Sequence, residues 1–88
     1  MRKYESEGKY TVRNLVKNKA IALELAEIYV KNRYGQDAAE EEKPYEITEL
    51  TTSWVVEGTI PSDQIAGGVF IIEIGKNDGR ILNFGHGK

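Results

Sequence analysis

The 88-residue chain has no cysteine, one histidine (His86), two prolines and one tryptophan. The missing cysteine excludes disulfides, thiolate metal sites and a cysteine nucleophile. A single histidine excludes clustered-histidine metal sites. It also leaves one side chain suited to proton exchange near neutral pH. No apolar run approaches the roughly 20 residues of a membrane-spanning helix. Met1-Arg2-Lys3-Tyr4-Glu5 lacks the apolar stretch of a signal peptide. The expectation is a cytoplasmic protein with no membrane partner, no cofactor, no metal and no catalytic residue. What this leaves as the expectation is a small binding module.

What is present is 40% hydrophobic and 30% charged. A chain of this size has one core, and buries roughly 60% of the surface that it exposes when unfolded. The net charge of −2 is unevenly spread. Residues 1–19 hold six bases against two acids, and the remainder holds six against twelve. An acidic body argues against nucleic acid and for a basic protein partner.

The first 11 residues lack a period and read as a loose lead-in. Asn18 is a strong N-cap for the run that follows. Ala22, Leu25, Ala26, Tyr29 and Val30 then mark one amphipathic face. Val16 is placed to pack back as a staple-like contact. Glu27 and Lys31 are spaced as an i,i+4 pair. Lys31 and Arg33 suit the negative end of the helix, and Gly35 ends it. The helical segment is thus 12–35, with the helix itself at 18–34.

An acidic loop at 36–43 is expected next, then an antiparallel meander over 44–85. Strands are read at Tyr45–Leu50, Trp54–Ile60, Val69–Ile74 and Arg80–Phe84. Trp54, Val56 and Ile60 share a face, as do Phe70, Ile72 and Ile74. Val69–Ile74, apolar on both faces near its start, reads as a central strand. Lys76-Asn77-Asp78-Gly79 is a hairpin turn. The whole predicts one α+β domain over 1–88, an N-terminal helix across a four-stranded antiparallel sheet. Ala22 and Ala26 would let the helix approach the sheet closely, over Gly58. The first and last strands are possible edges, so the state expected is a monomer or an edge-paired dimer.

Few side chains invite chemistry. His86, flanked by glycines near the end, fits a surface contact or a strand-end hydrogen bond better than general-base work. Ser6, Ser53 and Ser62 lie in no nucleophile-elbow setting. Gly67-Gly68 lacks the lysine of a phosphate loop and reads as a bulge or tight strand entry. Trp54 reads as core. Tyr4, Tyr10 and Tyr34 fall outside the core pattern and read as exposed contact residues. Asp37, Glu40, Glu41 and Glu42 lack calcium-loop spacing. They are either a solvated charge run or a patch that steers a basic partner. They are the candidate partner-binding residues.

Taken in order, Val16-Lys17-Asn18-Lys19, Ala22-Leu23-Glu24-Leu25-Ala26-Glu27 and Tyr34-Gly35 form a pattern with later segments. These are Lys43-Pro44-Tyr45, Trp54-Val55-Val56-Glu57-Gly58-Thr59, Gly67-Gly68-Val69-Phe70, Ile72-Glu73-Ile74, Asp78-Gly79-Arg80-Ile81-Leu82 and His86-Gly87-Lys88. Over residues 16–88 this set resembles the nuclear-transport-factor-two-fold immunity proteins of bacterial polymorphic toxin systems. The resemblance implies a non-enzymatic protein that binds and neutralises a cognate toxin. It also implies a curved sheet around a helix, in a cystatin-like or reduced form. Full members of the wider superfamily add helices that build a deep pocket, and only one clear helix is legible here. No set of toxin-contacting residues carries over. The competing reading is a cystatin-like or peptidase-inhibitor-like regulatory module.

Overall fold

The computed structural model describes residues 13–60 and 68–86. It contains helix α1 (Lys19–Tyr34), a short helix α2 (Gln36–Glu41), and strands β1 (Glu46–Glu49), β2 (Ser53–Glu57), β3 (Phe70–Gly75) and β4 (Ile81–His86). The strands pair antiparallel in the order β1-β2-β3-β4, and α1 packs on the sheet. The architecture is α+β, as the periodicity predicts.

Local chemistry sets the boundaries. The Asn18 side chain accepts from the Ile21 amide at 3.0 Å and so starts α1. Gly35 ends α1 at φ +98°, a region that L side chains rarely adopt. The acidic run 36–41, expected as a loop, is instead helical. Gly35 only redirects the chain, and the good helix formers beyond it wind again around a buried Ala39. Tyr45 donates to the Ala39 carbonyl at 2.7 Å and ties α2 down. Burial holds the Tyr45 hydroxyl above the usual phenol range, and the nearby Glu27 charge adds to this.

The core lies between α1 and one face of the sheet. Ala22, Ala26 and Val30 from α1 meet Trp54, Val56, Phe70, Ile72 and Ile74, all buried. A fully buried Phe70 contributes roughly 1.5–3 kcal/mol of transfer free energy. The Trp54 indole N–H donates to the Val16 carbonyl at 2.9 Å, so its one polar atom is satisfied. Val16 is buried in the core, its side chain beside Gly79 together with Leu25 of α1. Its amide donates to the Lys76 carbonyl at 2.9 Å, and the Leu15 amide to Asn77 at 3.0 Å. Residues 15–16 thereby strap the β3–β4 turn. At its tip Gly79 takes φ +76°, and its carbonyl accepts from the Tyr29 hydroxyl at 2.9 Å.

Several sequence expectations shift. Gly58 lies beneath Glu42, not the α1 alanines: an added Cβ would stand 2.8 Å from the Glu42 Cβ and 3.0 Å from Phe70. Glu27 pairs with Lys43 at 3.0 Å rather than with Lys31, because α2 folds Lys43 back along α1. β2 ends at Glu57, which leaves Ile60 exposed beyond it. Tyr34 is half-buried, edge-on to Phe84 with centroids 5.7 Å apart. β4 runs to His86, past the expected end at Phe84. The readings at Tyr4, Tyr10, Ser6, Ser62 and Gly67 lie outside the described residues.

Candidate functional site

The four carboxylates singled out in sequence part company. Asp37, Glu40 and Glu41 project from α2 into solvent. Glu40 lies 3.3 Å from the Lys43 ammonium. Hydrogen bonds to Glu27 and Glu40 raise the pKa of that lysine. Glu42 turns inward. Its Oε1 accepts from the Phe70 amide at 2.9 Å, and its main-chain carbonyl accepts from Thr59 at 2.8 Å. One residue thus clips the end of α2 to the start of β3 and to the chain just past β2. Gly58 is the hole that admits it. Among the four, Asp37, Glu40 and Glu41 are exposed and Glu42 is partly buried.

His86, the last residue of β4, stands opposite Phe70. Its ring meets Tyr34 edge-on at 5.3 Å, and Nε2 lies 3.5 Å from Glu42 Oε2. This is a strand-end contact. Among the described residues no group of three or more His, Asp or Glu is arranged to hold a metal ion.

The face of the sheet away from α1 carries a second constellation. Strand pairing sets Glu46, Glu57, Ile71 and Gly85 in one row across it, and Thr48, Val55, Glu73 and Asn83 in the next. Glu73 sits near the middle. Ser53 donates to its Oε2 at 2.7 Å and Asn83 to its Oε1 at 2.8 Å. Both bonds favour the charged form, the serine bond more, so the carboxyl is held below the usual glutamate range. Ser53 is buried and its hydroxyl donates to a carboxylate rather than to an imidazole base. The chemistry this arrangement offers is a fixed negative charge.

Because Trp54 with Val56 and Phe70 with Ile72 share the core face, alternation turns Glu57 and Glu73 to the other face. It carried no signal that they would be neighbours of Glu46 and Asn83, because that depends on register. The sequence signal available for register was the tight Lys76–Gly79 turn between β3 and β4.

A helix laid over one face of a four-stranded antiparallel meander defines a class of small α+β proteins. Within it, the model of the NTF2 fold immunity protein family matches residues 21–88. The chain belongs to that family. It is 99% identical over 88 residues to the uncharacterized protein YhhH of Escherichia coli (strain K12), covering 100% of this chain and 69% of YhhH. It is 61% identical over 80 residues to YbbC of the same organism, covering 91% of this chain and 66% of YbbC. The chain thus spans about two thirds of the length of these relatives. No solved structure matches it. No described helix is long and apolar enough to cross a membrane.

Proposed function

We propose that the chain is a cytoplasmic immunity protein that binds a cognate bacterial toxin and neutralises it by occlusion, without catalysis. Membership of the immunity family over residues 21–88 carries this reading. The charge supports it: the body beyond residue 19 is acidic and suits a basic toxin surface. Occlusion of this kind needs an interface of about 1,200–2,000 Å² in total. Asp37, Glu40 and Glu41 on α2 act as steering charges, which raise the rate of encounter more than the final affinity. The protein acts as a monomer or as a dimer paired through β1 or β4, the two sheet edges. The peptidase-inhibitor reading has the helix-on-meander shape in its favour and no site of its own.

The test is co-expression with the toxin encoded beside the gene. Cells survive, and the two proteins co-elute on a sizing column. Unprotected cells and separate elution would refute the reading. Glu40→Lys with Glu41→Lys should slow association by about tenfold at low salt, with dissociation nearly unchanged. An unchanged on-rate removes α2 from the account.

A further inference from the structure

The face of the sheet opposite α1 has features that folding does not call for. Glu46 and Glu57 are direct cross-strand partners on it. Like charges so placed destabilise a sheet. No lysine or arginine among the described residues forms an ion pair with either. Beside them lies half-buried Ile71, and opposite Ile71 stands Gly85. A Cβ added at Gly85 would meet nothing within 4 Å. The glycine therefore leaves a shallow hollow, lined by Ile71, Asn83, Phe84, Gly85 and His86. Glu73, one row away, is already oriented by two donors. An apolar socket with charge around it is how the centre and rim of a protein interface are built.

We propose that this open face is where the toxin docks, an inference that rests on the immunity reading above. The occupant is a toxin segment that presents an apolar side chain flanked by arginine or lysine. The apolar side chain enters the hollow beside Ile71. One cation pairs with Glu73, whose carboxylate needs no reordering on binding. A second sits over Glu46 and Glu57 and cancels their repulsion. A second copy of this chain is a poor occupant, since a twofold contact through this face would set the same carboxylates against each other. The same charges argue against nucleic acid as the occupant.

The test uses the intact protein and the toxin encoded beside its gene, with affinity measured by calorimetry. Gly85→Leu fills the hollow from a position where a side chain has room. Glu57→Lys inverts one charge. Each should weaken binding by at least about tenfold, as loss of a central interface contact does. Thermal midpoints should not fall below that of the parent and circular dichroism should match it, so that weakened binding is not unfolding. Full affinity in both variants overturns the docking face and leaves the immunity reading standing. A parent protein that neither binds nor protects overturns both. A homodimer on the sizing column that Gly85→Leu dissolves assigns the face to a second copy and overturns the proposed occupant.

Discussion

The two faces of the sheet obey different rules. The face under α1 carries Trp54, Val56, Phe70, Ile72 and Ile74, all buried, and its polar atoms are satisfied. These five residues are explained by the need to bury apolar surface. The other face carries three glutamates, two of them directly opposed, and a glycine where a side chain would fit. The opposed Glu46 and Glu57 and the unfilled position at Gly85 do not improve folding. The contrast separates residues kept for stability from residues free to serve a partner, and it can be broken by substitution on either side.

The largest effect is expected on the covered face. Phe70→Ala removes a fully buried ring that packs edge-on against Tyr45 with centroids 4.8 Å apart. It should cost about 3–5 kcal/mol in urea unfolding. In a domain this small, that is a large part of all the stability there is. Ile71→Ala, the neighbouring position on the open face, should cost under about 1 kcal/mol by the same measurement, as its ring of contacts is incomplete. Equal losses at the two positions would mean that the open face is covered too.

Glu42 tests the comparison from the acidic segment. Glu42→Ala leaves the Phe70 amide without its acceptor and opens space above Gly58. A loss of about 1–3 kcal/mol follows from stranding a partly buried donor. Glu41→Ala, one residue earlier and exposed, should stay within about 0.5 kcal/mol of the parent. The denaturant midpoints of the pair decide whether the acidic segment divides into a structural and a presented part.

The acidic segment also marks the limit of what was legible in sequence. The α1 face, the Asn18 cap, the Gly35 stop and the alternation in β3 rest on local chemistry, and all could be read directly. Helix α2 could not, because a six-residue helix has almost no periodic signal and depends on Ala39 being buried. Nor could the inward turn of Glu42, which requires Gly58 and Phe70 to arrive from 16 and 28 residues away. The open-face ladder Ser53–Glu73–Asn83 is illegible for the same reason. Alternation fixes the face on which a residue lies; only register fixes its neighbours.

Charge inversion on the open face should act with the opposite sign from core substitution. Glu57→Lys turns a like-charge cross-strand pair into an opposite-charge one. Stability should rise by about 0.2–1 kcal/mol, read as a higher urea midpoint. The same variant is the one expected to lose toxin affinity. A gain in stability coupled to a loss of binding is the signature of a residue retained for a partner. A fall in both would place Glu57 among the structural residues.

The smallest effect lies in the pH dependence of Glu73. Its carboxyl titrates below the usual glutamate range because Ser53 and Asn83 hold the charged form. A folded-state pKa depressed in this way adds stability above the unfolded value, and the gain disappears as pH falls through the folded one. Asn83→Ala removes one donor and raises that pKa toward its ordinary value. Parent and variant should therefore differ most near neutral pH and converge as the pH falls through the folded-state value, below which Glu73 is protonated in both. Urea midpoints across that range check the sign. A gap of constant size in acid would mean that Asn83 stabilises β4 by packing alone. The fixed charge on the open face would then rest on Ser53, a residue buried within the sheet and so already committed to the fold.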